Sequence, residues 1–158
     1  MSVPLSSDVV RRFLEVVVRQ LRTTVGVDAV VAAMGDPVDA AAIAVAVDFS
    51  GDVRGPVTWV FPQAIALELV RRLRADPDPD PETASDGATE LANILTGHAS
   101  AALEAHGFHC AFGVPRLHIG ALPGGVSVRM QTPAGPIDLV LSMSTATTRQ
   151  LRVITGAG

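Results

Sequence analysis

A chain of 158 residues is the size of one ordinary domain, so one core is expected over 1–158, and 48% apolar against 18% charged residues excludes general disorder. The mean hydropathy of +0.37 is high, yet the most apolar run, 40–47, ends at Asp48. That is far short of the roughly 18 to 20 residues a bilayer needs, and no apolar segment follows a basic start at the N-terminus, so a soluble, cytoplasmic chain with no membrane partner is expected. The 12 basic residues, all arginine, are outnumbered by 16 acids for a net charge of −4, with no basic stripe to replace phosphate counterions, so no nucleic-acid partner is expected.

The first predicted element is a helix over 7–22. Ser6 or Ser7 can cap it, Asp8 suits its positive end, and Val9, Phe13, Val16, Val17 and Leu21 form an apolar stripe. The β-branched run 27–34 reads as a strand closed by a turn at Gly35, Asp36 and Pro37. Strands over 40–49 and 56–61 flank the glycine-bracketed turn SGDVRG, and the alternation from Ile43 to Val47 suits burial on both faces. A second helix over 62–74 opens on Pro62, turns Ile65, Ala66, Leu69, Val70 and Leu73 inward, and ends on Arg71, Arg72 and Arg74, where cations suit the helix C-terminus. The run DPDPDP, 76–81, reads as an extended linker, because each proline disfavours the helical region for the residue before it.

A third, long helix is predicted over about 85–106, ending at Gly107. Four short strands follow over 108–114, 116–120, 126–131 and 136–143, with turns at Val114-Pro115, LPGG and TPAG. Helices and strands alternate without a regular βαβ rhythm. The expected class is therefore α+β, a largely antiparallel sheet covered by helices.

The third helix is the most informative. At about 100° per residue, Leu91, Ala92, Leu95, Ala99, Ala102 and Leu103 fall on one side. Asp86, Glu90, Asn93, Gly97, Ala101 and Glu104 fall on the other, with Glu90 and Asn93 side by side at a spacing of three. Mid-helix glycine costs about 1 kcal/mol relative to alanine, and asparagine is a poor helix former. Gly97 and Ala101 leave a low spot where another chain can approach, beside a carboxylate and a carboxamide. The plain alternative is a solvated face with a tolerated glycine.

Other chemistries have little support. His98, His106, His109 and His118 make neither H-x-x-x-H nor H-E-x-x-H, so no metal site is expected. Cys110, flanked closely by Phe108 and Phe112, reads as a small core residue, and a lone cysteine permits no internal disulfide. The chain has no lysine and no phosphate-binding loop. Trp59 is expected in the core.

The stretch Glu90-Leu91-Ala92-Asn93-Ile94-Leu95-Thr96-Gly97, followed by Leu103, Gly107, Val114-Pro115 and Gly120, resembles the helix–strand signature of the CheX phosphatases, in the CheC/CheX/FliY class of chemotaxis proteins. The upstream run from Val47 to Gly55, then Val57 to Phe61, Pro62 and Ala66-Leu67-Glu68-Leu69-Val70, is similar to that family's glycine hairpin and following helix. E-x-x-N alone occurs widely by chance; its combination with these flanking features, over about 43–142, carries the likeness.

The resemblance implies a single CheX-like domain acting on the aspartyl phosphate of a response-regulator receiver domain of the CheY type. Asn93 would orient the attacking water, and Glu90 would dock on the receiver's lysine. Asp86, Gly97 and Ala101 are the expected partner-contact positions. The resemblance also implies a homodimer, and Mg²⁺ held by the receiver's acids, leaving no cofactor on this chain. A CheX-like module that binds a receiver or dimerises without hydrolysis is the alternative. His98 stands where family members often carry Asn. Related two-site proteins repeat the motif in another helix, but here Glu15 is followed three residues later by Val18, so the single-site CheX type is expected.

Overall fold

The computed structural model describes residues 2–34, 42–75 and 78–146. The predicted turn at Gly35 to Pro37, the first two residues of the 40–49 strand and the first two of the linker lie outside them. Strand β1 (Ser2–Pro4) leads into helix α1 (Ser7–Val25). The Ser6 hydroxyl accepts from Val9 N–H at 3.3 Å, and Gly26 ends the helix in the left-handed region. Three residues of α1 extend beyond the predicted end because Val25 still has a buried place on the inner face.

Strand β2 (Val30–Met34) begins three residues later than expected. Strands β3 (Ala42–Gly51) and β4 (Val53–Pro62) form the predicted hairpin, with Phe49 opposite Gly55 and Ala42 opposite Pro62. Gly51 turns the chain with φ +99°, and a Cβ there would lie 2.6 Å from the His109 carbonyl oxygen. Asp52 ties this turn to the residue that enters the neighbouring edge strand: its N–H donates to His109 O at 3.0 Å, and its carboxylate accepts from His109 N–H at 2.7 Å.

Helix α2 (Gln63–Arg74) starts directly after Pro62 and stops at Ala75. Helix α3 (Pro81–Ala105) begins four residues before the predicted start. The linker reading overlooked that the last Asp-Pro pair is itself a helix start. Asp80 accepts from Thr83 N–H at 2.7 Å, and Pro81 occupies the first turn, where its missing N–H costs nothing. At the other end, Gly107 N–H donates to Glu104 O and Phe108 N–H to Leu103 O, closing the helix where the glycine predicted it.

Of the C-terminal strands, β5 (Cys110–Phe112) and β6 (Arg116–Leu117) are much shorter than the apolar runs implied, β7 (Val126–Thr132) is one residue longer, β8 (Gly135–Leu141) is one residue shorter, and β9 (Ser144–Ala146) is unpredicted. All pairings among the described residues are antiparallel. Across the sheet the order is β3, β4, β8, β7, β2, with β5 and β6 on the outer edge of β3; β9 continues beside the start of β4 and carries β1 outside it. The β1–β9 pair joins the two ends of the described chain, a contact with no local pattern to announce it.

The three helices lie together, with α3 touching both α1 and α2 as well as β3. Their shared core includes Phe13, Val17 and Leu21 of α1, Leu69 of α2, Leu91, Leu95 and Leu103 of α3, and Val45, Val57, Trp59 and Phe61 of the central hairpin. Residues alternating with those, among them Ala46, Thr58, Val60 and Val140, are buried as well. The two-sided burial read from the Ile43 to Val47 alternation thus holds for Val45, Ala46 and Val47. The class is α+β, as expected.

Candidate functional site on the outer ridge of α3

The rotation of α3 about its axis decides which side chains reach solvent. Ala84, Ala88, Leu91, Ala92, Leu95, Thr96, Ala99 and Leu103 are buried, which pins one face against the sheet and the flanking helices. Thr96 is polar, and its presence on that face has a specific cause: its hydroxyl accepts from Trp59 Nε1–H at 3.0 Å, with both residues fully buried. The bond ties the middle of α3 to the centre of β4. A helix so held turns Asp86, Glu90, Asn93, Ala101 and Glu104 outward, all exposed, with Gly97 half-buried between them.

Glu90 and Asn93 therefore lie adjacent on the exposed ridge, one turn apart, where Cβ atoms stand about 5–6 Å from each other. The Asn93 carboxamide makes no hydrogen bond among the described residues. The Glu90 carboxylate does have a partner: Oε2 accepts from Arg74 Nη2 at 3.2 Å and Nε at 3.4 Å. The sequence reading placed Arg74 only as a cation at the α2 terminus and missed this bridge.

Glycine shapes α3 at two places, one buried against α2 and one on the ridge. At Gly87, a Cβ would overlap both methyl groups of Val70, so α2 and α3 approach closely there. At Gly97, a Cβ would lie 3.4 Å from the ring of Phe112, ordinary contact distance. The low spot at Gly97 is thus bordered by Phe112, which is itself 37% exposed and packs at a tilt against Phe49. Further along, Ala101, Ala102, Ala105 and His106 line a groove with Arg12, Glu15 and Arg19 of α1. His98 is exposed beside Gly97. Gly87 was not singled out from sequence, although a second mid-helix glycine only ten residues before Gly97 was the available signal.

The remaining candidates fall away from this ridge. Cys110 is half-buried at the edge of the core, and burial pushes its thiol pKa up, which disfavours the thiolate. His118 Nε2 lies 2.8 Å from Ala121 O, and His106 faces Asp8 at 4.0 Å. Among the described residues, no three His, Cys, Asp or Glu side chains group as metal ligands, and no helix is long and apolar enough to cross a membrane.

Three helices on an antiparallel sheet, with a long helix between its two neighbours, form the architecture of the CheC/CheX/FliY class. Similar solved structures include a CheX from Desulfovibrio desulfuricans (17% identity, 88% of this chain and 99% of that one, TM-score 0.72). A CheX–CheY–BeF3–Mg²⁺ complex from Borrelia burgdorferi is similar at 20% identity, over 89% of this chain and 98% of that one, with a TM-score of 0.66. FliY from Thermotoga maritima is similar at 13% identity, over 87% and 91%, with a TM-score of 0.64. At these identities the likeness is one of fold. No curated protein matches the chain by sequence. The family model described as chemotaxis phosphatase CheX matches residues 43–133, more than half of the sequence, and the chain belongs to that family.

Proposed function

We propose that this protein is a phosphatase for the aspartyl phosphate of a CheY-like response-regulator receiver, with Asn93 and Glu90 as its working pair. The observation that carries the reading is the exposure of both side chains, adjacent on the ridge of α3. Family membership and the CheX–CheY pairing in the Borrelia burgdorferi neighbour support the choice of partner.

The residue types suit the reaction. A water oxygen forms a bond to phosphorus while the bond from phosphorus to the receiver's aspartyl oxygen breaks, releasing inorganic phosphate and a free carboxylate. Such a transfer needs positioning and charge stabilisation more than covalent help. Asn93 holds the water by its amide without adding negative charge. Glu90, displaced by one turn, accepts a hydrogen bond from the receiver's lysine and fixes the docking register; aimed at the phosphoryl group itself, it would repel. Asp86, Gly97 and Ala101 supply the surface against which the receiver lies. Mg²⁺ stays with the receiver's acids, so the chain contributes no metal ligand. The working protein is a cytoplasmic homodimer, and the exposed Val114, Leu117 and Ile119 around β6 are an apolar strip for a second copy to cover.

The test is phosphate release from a phosphorylated CheY-like receiver. Asn93→Ala should bind and not turn over, whereas Glu90→Ala should weaken binding as well. Complex formation with decay no faster than the receiver's own, for wild type and variants alike, would overturn the enzymatic reading and leave a receiver-binding module. Light scattering gives the mass, and a monomer at working concentration would overturn the homodimer.

A further inference from the structure

We infer that Arg74 is a positioning residue for Glu90, holding its carboxylate by one oxygen so that the other stays presented to a cation on the docked partner. The inference rests on the role proposed for Glu90 above. Its geometric basis is the one-sided bridge: Arg74 Nη2 and Nε both reach Oε2, at 3.2 and 3.4 Å, and Oε1 makes no hydrogen bond among the described residues.

The bridge follows from how the helices cross. Val70 of α2 seats against Gly87 of α3, where no Cβ fits. Arg74 lies one turn beyond Val70 and Glu90 one turn beyond Gly87, so the same facing surfaces that make the close contact bring the two charges together. The neighbouring arginines are otherwise engaged. Arg71 and Arg72 pair with Glu68, and Arg72 Nη1 also donates at 3.2 Å to the carbonyl of Gly26, which ends α1. Arg74 is the cation of this turn that leaves its own helix for the ridge.

Stability does not explain the arrangement. Arg74 and Glu90 side chains are 36% and 49% exposed, a setting in which ion pairs are screened and weak. Orientation does explain it. A free glutamate on a helix surface samples several rotamers, and a partner that needs one of them must overcome that freedom on docking. The guanidinium, with its donors in a rigid fork, restricts the carboxylate before the partner arrives.

The experiment is steady-state phosphate release from a CheY-like receiver phosphorylated with acetyl phosphate in saturating Mg²⁺, using wild type, Arg74→Gln, Arg74→Lys, Glu90→Gln and the Arg74→Gln/Glu90→Gln double variant. Loss of an exposed, orienting ion pair should raise KM by about threefold to fivefold and leave kcat within about twofold. Arg74→Lys should recover part of that loss, and adding Arg74→Gln to Glu90→Gln should change KM no further. A lower KM for Arg74→Gln would mean that Arg74 competes with the partner's cation, and would overturn the inference. So would an unchanged KM, or an equal loss in the Glu90→Gln background. An inactive, non-binding wild type would instead overturn the proposed function and this inference with it. An active wild type impaired by Glu90→Gln but not by Arg74→Gln overturns only the role of Arg74.

Discussion

Trp59 Nε1 donates to Thr96 Oγ1 at 3.0 Å where neither residue reaches solvent, and this bond sets the outward direction of Glu90 and Asn93. Thr96 belongs to the buried face of α3 with Leu91, Leu95, Ala99 and Leu103, so a helix anchored on that face has its polar ridge turned to solvent. Replacing Thr96 with valine keeps the shape and strands the indole N–H. Thr96→Val should therefore lose about 1–3 kcal/mol of stability, and Thr96→Ser much less, in urea denaturation followed by the fluorescence of Trp59.

The two helix glycines should respond oppositely to alanine. At Gly87 the added methyl overlaps Val70, so Gly87→Ala should destabilise by about 1–3 kcal/mol. At Gly97 it meets the Phe112 ring at ordinary contact distance, so Gly97→Ala should stabilise by up to about 1 kcal/mol. Thermal melts check both signs. If the receiver uses the Gly97 low spot, its KM should rise in Gly97→Ala even as the melting temperature rises.

Ala75, which ends α2, holds a left-handed backbone with φ +51°. A Cβ makes that conformation unfavourable by about 1–2 kcal/mol, part of which glycine returns as flexibility of the unfolded chain. Ala75→Gly should thus stabilise by about 0.5–1 kcal/mol net in denaturant titrations, with the same urea dependence as wild type.

Asp80 gives α3 a pH dependence. The Thr83 backbone N–H, then its hydroxyl, hold the Asp80 carboxyl below the ordinary carboxylate range. A group whose pKa is lower in the folded chain stabilises fully above its unfolded value and loses that contribution as pH falls through the lowered one. Asp80→Asn keeps an acceptor and removes the charge. Wild type should therefore melt above Asp80→Asn at neutral pH, and the gap should narrow as acid is added below about pH 4.

The sequence was most legible where periodicity is long. The stripe Leu91, Leu95, Ala99 and Leu103 located the buried face of α3, and its complement located Glu90 and Asn93. The glycine hairpin and all three helices were legible for the same reason: local patterns repeat over several turns or pairs. Short strands were not. The runs around Cys110–Phe112 and Arg116–Leu117 looked longer than they are because an apolar run does not say how much of it finds a partner, and Ser144–Ala146 becomes a strand only by pairing with residues from the other end of the chain. The early start of α3 was readable in principle, since Asp80-Pro81 is a cap followed by a first-turn proline, but the repeated prolines read as a uniform linker.

By itself the sequence determined the α+β composition and which edge of the third helix is polar, because side-chain periodicity is a property of the chain before it folds. Tertiary structure decided what surrounds that edge. Arg74 reaches Glu90 across 16 residues, Phe112 borders Gly97, and Trp59 reaches Thr96 across 37, each through a crossing of elements set by packing volume rather than by spacing along the chain.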